Sequence, residues 1–234
     1  MNSINKTAGI VGVLFIIGTI AGMLSHVLTG PVLGGSDVLV NVSAHEIQII
    51  AGALCVLIMG LALAMVPVMM FPILKKYNEA LALGYVVFRG ALETVMYIVL
   101  AIIWLFLIPV SQEYVKAGTP DASYFQSLGA VLLKGHDLIG PFQTIVFCLG
   151  ALIFYYVLYQ TNLIPRWLSG WGLIAIIPYL AAGLLVLFGF FGPLSTSEIV
   201  QDFPLALQEM VMAVWLIVKG FNLSALASGS ATGE

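Results

Sequence analysis

Arg89 and Glu93 stand four residues apart in GYVVFRGALETVMYIVLAIIWLFLIP, Gly84 to Pro109, an apolar run long enough to cross a bilayer. A charge inside a spanning helix is costly, so both side chains need partners from elsewhere in the chain. Glu209 lies in another apolar run, PLALQEMVMAVWLIVKGF, between Pro204 and Lys219 and close to the midplane once the run is drawn as a helix. A carboxylate at that depth has to be paired or carry a proton, and a guanidinium, which stays charged, has to be paired. Arg before Glu is the weaker order for an i,i+4 pair, so the spacing predicts that the Arg89 fork also reaches a second helix. Glu209 is the matching acceptor, and Gln208 beside it adds a hydrogen-bonding group. Such a cluster can bind a proton or a substrate: the arginine holds an anionic group or a counter-carboxylate, and one glutamate takes up and releases the proton. The competing reading is an interhelical clamp that fixes helix register and does no chemistry.

A second set of candidates is the histidines. His26, His45 and His136 all fall near span ends on one side, two of them beside acids as His45-Glu46 and His136-Asp137. Histidines delivered by three helix ends, with Asp137, suit zinc or another divalent ion, and Ser25 or Ser43 nearby would complete a metal-assisted hydrolase acting on lipid at the outer leaflet. Against this, the chain holds no HExxH, no GxSxG, no phosphate-binding glycine loop, no haem-attachment motif and no dinucleotide fingerprint. No cofactor is expected. Cys55 and Cys148 both lie in apolar runs and read as small buried hydrophobes.

The elements that must position these residues are membrane spans. Of 234 residues, 61% are hydrophobic and 8% charged, against roughly a quarter charged in soluble domains. The net charge of −3 comes without a basic stripe, which excludes nucleic acid as a partner and leaves membrane lipids, with a small-molecule or ion ligand. Six runs can span as helices: Thr7–Thr29, Ile47–Phe71, Leu81–Pro109, Leu138–Tyr159, Leu168–Phe191 and Phe203–Phe221. The first is too long for a signal-peptide core. Lys6, Lys75, Lys76, Arg166 and Lys219 fall on one side of these spans, which puts both termini in the cytoplasm.

Between spans, Asn78 before Glu79 reads as a helix cap. The one long loop, Ser111 to Asp137, lies on the outer side. Thr119-Pro120-Asp121 is a helix start within it, Gly135 a stop, and Tyr124, Phe125, Leu128, Val131 and Leu132 an apolar face between them, which predicts a short amphipathic surface helix. Tyr155, Tyr156 and Tyr159 read as a cytoplasmic aromatic belt. In span one, Ala8-xxx-Gly12 and Gly18-xxx-Gly22 are close-packing faces for other helices. Residues 1–222 form the membrane domain on this reading, and 223–234 a disordered cytoplasmic tail.

The segments FRGALETVMYIV, HDLIGPFQTIVFCLGALIFYYVLYQTNLIPRWLSGWGLIA and LQEMVMAVWLIVKGF resemble an uncharacterised family of bacterial six-span membrane proteins, catalogued as a domain of unknown function. The matched elements are Arg89 with Glu93, Leu158-Tyr159, the Leu163-x-Pro165-Arg166-Trp167-Leu168 turn, and Glu209 followed by Trp215, Leu216, Lys219 and Gly220. The resemblance implies the architecture and imports no activity.

The expected protein is therefore all-α, a six-helix transmembrane bundle of the bacterial cytoplasmic membrane with a surface helix between spans three and four. Binding or transport of a small molecule, an ion or lipid is the leading expectation. An outer-leaflet hydrolase and a structural or regulatory subunit are the alternatives. Six spans without an inverted repeat are few for a monomeric carrier, so transport would call for a homodimer.

Overall fold

A computed structural model of the chain describes residues 3–117, 122–190, 192 and 196–222, with side chains from residue 200 onward in the last stretch. The described residues are helical apart from short turns, and six helices are long and apolar enough to cross a membrane. Helix α1 spans Ser3–Leu33 and a short α2 spans Val38–Ala44; α3 follows over Glu46–Leu74. The third span is composite: α4 (Glu79–Tyr85), a π-helical segment (Val86–Leu92) and α5 (Glu93–Lys116) run without a break. Then come α6 (Ala122–Thr161), α7 (Arg166–Leu187) and α8 (Thr196–Val218).

Each span packs against the next, and α8 returns to pack against α1. The six spans thus close into a ring in chain order, as short connections between antiparallel helices dictate. Contacts between helices that are not neighbours in this ring locate its axis. Phe15 of α1 stacks on Phe154 of α6, with ring centroids 6.5 Å apart, and Tyr85 of α4 also stacks on Phe154, at 4.6 Å. The outside of the ring is apolar, with Ile58, Leu61, Phe106, Ile174 and Ile177 exposed to what would be lipid.

The small residues of α1 do what their spacing predicts. Gly12 sits against the Ala213 carbonyl of α8, while Gly18 and Gly22 sit against Leu63 and Met59 of α3. Asn78 caps α4 by accepting a hydrogen bond from the Leu81 N–H (2.9 Å). At the same end of the bundle, the Phe221 N–H donates to Asn5 Oδ1 (3.3 Å) and the Asn222 N–H to the Leu163 carbonyl (2.9 Å). These bonds tie residues near both termini to the α6–α7 turn. Asn162 makes that turn at φ 51°, a left-handed conformation that asparagine tolerates better than most residues.

Two expectations need correction. The segment expected to form a separate surface helix is the first part of α6, which runs unbroken for 40 residues through Gly135. At 1.5 Å per residue it is roughly 60 Å long, twice the hydrocarbon thickness, so its amphipathic N-terminal part extends beyond the membrane as a continuation of span four. Glycine inside a helix costs only about 1 kcal/mol, too little to stop one supported by packing on both sides. Thr119-Pro120-Asp121 and residues 223–234 lie outside the described residues. The other correction concerns Tyr155. It is 1% exposed and belongs to the core, whereas Tyr156 and Tyr159 do face outward.

Candidate functional site

Along the third span Tyr85, Arg89, Glu93, Tyr97 and Ala101 recur every four residues, and all five are buried. A four-residue step keeps side chains on one helical face, and this face points to the ring axis. The π-helical segment carries Arg89 at its centre, and the Glu93 N–H bonds back to the Phe88 carbonyl five residues earlier. One wider turn re-aims the side chains that follow it, and such turns are frequent at functional sites.

Arg89 uses its fork in two directions. Nη1 donates to both carboxylate oxygens of Glu93, at 2.7 and 2.8 Å, and Nη2 to Glu209 Oε1 across the ring at 3.2 Å. The guanidinium also lies over the Phe147 ring, 4.3 Å from its centroid. Glu93 is held further by the Tyr97 hydroxyl, which donates to its Oε1 (2.9 Å). The two carboxylates are not equivalent. Glu93 is 1% exposed with three hydrogen bonds, while Glu209 is 18% exposed and meets the arginine through one longer contact.

Gln208 belongs to a neighbouring polar group. Its Oε1 accepts from the Tyr155 hydroxyl (2.7 Å) and its Nε2 donates to the Leu168 carbonyl (3.0 Å), joining α6, α7 and α8. Tyr155→Phe leaves that buried oxygen short of a donor. It is expected to lower the unfolding free energy by about 1 kcal/mol, the usual scale of one interhelical hydrogen bond in a membrane, read as a lower denaturation midpoint in detergent.

The three histidines separate. His26 and His136 line one cavity with Asp137, and His136 Nδ1 lies 3.3 Å from Asp137 Oδ1. His45 is exposed and its Nδ1 pairs with the Asn41 carbonyl of its own turn (2.9 Å). Among the described residues no three His, Cys, Asp or Glu side chains converge as a metal-ligand set. The Ser25 hydroxyl is committed to the Gly52 carbonyl of α3 (3.0 Å). Cys55 and Cys148 are free thiols.

Tyr97 and Tyr155 are the site residues that sequence reasoning missed. Tyr97 had a signal, lying four residues beyond Glu93 on the Arg89 face; Tyr155 had none, because its partner sits on a helix two spans away.

A closed ring of six apolar helices around a buried arginine–glutamate cluster defines a multi-span integral membrane protein. The chain belongs to the family described as "Domain of unknown function (DUF4386)", whose model matches residues 10–220. No curated protein and no solved structure matches it.

Proposed function

We propose that this is a small-molecule- or ion-handling protein of the bacterial cytoplasmic membrane, with both termini inside, in which Arg89, Glu93 and Glu209 form the proton-exchanging element. The observation that carries this reading is the asymmetry of the two carboxylates on one guanidinium. Glu93 is locked by Arg89 and Tyr97, whereas Glu209 hangs on a single 3.2 Å contact and keeps part of its surface open. Two carboxylates and one guanidinium leave one negative charge in a low-dielectric interior, and a proton on Glu209 removes it. That proton also weakens the Arg89–Glu209 ion pair joining spans three and six across the ring, so protonation and helix contact are linked.

The polar groups around the cluster support the same reading. Among the described residues, the buried side-chain polar atoms without a partner are the Tyr85 hydroxyl and Trp104 Nε1, one on each side of the Arg89–Glu93 pair along the third span. Unsatisfied groups in a packed core call for a ligand or ordered water. For transport, a second copy of the chain is the expected partner.

The test is difference infrared spectroscopy of the full-length protein in lipid, between acid and alkaline buffer. A carboxyl C=O band that vanishes in Glu209→Gln and survives in the control Glu46→Gln is the expected result. Glu209→Gln is also expected to cost under about 1 kcal/mol of stability, since Arg89 keeps Glu93. Identical spectra for wild type and Glu209→Gln would reduce the cluster to a fixed clamp.

A further inference from the structure

Above the arginine–glutamate cluster the ring opens into a cavity of about 210 Å³, walled by residues of all six spans. Tyr97 is its partition from the cluster: the side chain lines the cavity, and its hydroxyl bonds to Glu93 below. The volume lies under the roughly 300 Å³ at which pockets for drug-sized molecules begin, which restricts any occupant to a few heavy atoms.

The lining is chemically one-sided. Asp137 and Asp202 are its acids, and among the described residues no lysine or arginine reaches it. His26 and His136 are the lining groups able to take a positive charge. Beneath the floor one guanidinium faces two carboxylates, so nothing there repels a cation. Yet these acids and histidines do not converge as the shell of a bare metal ion. The remaining walls include Tyr97, Trp104 and Tyr179, whose ring faces attract a diffuse organic cation.

We propose that this cavity binds a small organic amine cation, primary or quaternary. The ammonium head lies against Tyr97 and Tyr179 with Asp137 and Asp202 as counter-charge. Glu209 takes no part in this binding, so a failed proton-exchange test and a failed amine test are separate results.

Calorimetric titration of the full-length protein in lipid nanodiscs decides it, with four probes: choline, ethanolamine, tetramethylammonium and 3,3-dimethylbutan-1-ol, the uncharged isostere of choline. Choline or ethanolamine is expected to bind saturably, and the isostere at least about tenfold more weakly than choline, because it lacks the charge that the aromatic faces and acids recognise. Tyr179→Leu and Asp202→Asn are each expected to weaken amine binding about fivefold or more. Equal binding of choline and its isostere overturns the proposal, as does the absence of saturable heat with both hydroxylated amines. The isostere comparison uses wild-type protein, so a variant that fails to fold does not remove the test.

Discussion

Replacing Arg89 with leucine is expected to lower stability by about 3–5 kcal/mol, the penalty of removing one partner from a buried ion pair. Most of that loss comes from what stays behind. Glu93 forfeits two hydrogen bonds at 2.7 and 2.8 Å and keeps only Tyr97, and Glu209 forfeits the Arg89 contact. Both carboxylates then face an apolar interior that solvates neither. The measurement is the yield of monodisperse protein and its denaturation midpoint in mild detergent. If the penalty belongs to the stranded carboxylates, adding Glu93→Gln and Glu209→Gln to Arg89→Leu recovers most of the midpoint, because neutral amides cost far less to bury than ions. If the triple variant is as unstable as the single one, the loss came from the guanidinium's packing on Phe147 and the stem's packing beside Gly150, and the electrostatic account fails. The recovered triple variant is also the cleanest background for functional assays, being folded without the proposed proton-exchanging element.

The parts of this protein legible in its sequence are those set by the membrane. Hydrocarbon admits backbone only as hydrogen-bonded helix, so each apolar run of sufficient length had one available structure, and six spans followed. Arg89, Glu93 and Glu209 stood out because charge in such a run is rare and needs a partner. That partnering also limited the choice of acceptor, and the geometry places Glu209 on the second arm of the arginine fork. What escaped the reading was decided outside the hydrocarbon or by long-range packing. Gly135 is a weak local signal, and the continuity of α6 through it is fixed by packing on either side. Tyrosine is ambiguous by nature, since an amphipathic ring suits an interface as well as a core, and Tyr155 is drawn inward by Gln208 of a distant helix. The π-helical turn at Val86–Leu92 has no sequence signature beyond a glycine beside the arginine.

The ring order explains why the polar groups divide into two levels. At the end of the bundle that holds the α6–α7 turn, Phe15, Tyr85 and Phe154 fill the axis with stacked rings, and the arginine–glutamate cluster lies directly above them. Toward the other end the axis is hollow and lined by acids, histidines and aromatic rings. Tyr97 joins the levels through one hydroxyl. On the proposed reading, a change in the protonation of the cluster reaches the cavity by way of a side chain that touches both, and a ligand in the cavity reaches Glu93 by the same route. Linkage requires this influence to be reciprocal.

Closing the ring depends on α1 meeting α8, and Gly12→Val is expected to break that contact at a cost of about 3 kcal/mol, the upper end for overpacking. A β-carbon on Gly12 would lie 2.5 Å from the Ala213 carbonyl oxygen and 2.7 Å from Ile217 Cγ1. The nearer atom is backbone, so no rotamer change relieves the clash and the helices have to separate. In a membrane such separation is not resisted by a hydrophobic effect between helices, because lipid covers the exposed faces equally well, and close packing is the main attraction that is lost. Gly9, three residues earlier on the same helix, has open space where its β-carbon would be, so Gly9→Val is the matched control and is expected to stay within about 0.5 kcal/mol of wild type. Since α8 carries both Gln208 and Glu209, the Gly12→Val variant should also lengthen the Arg89–Glu209 contact, and the Glu209-dependent infrared band should shift with it. Equal midpoints for the two valine variants would show that α1 and α8 are not held by close packing at Gly12.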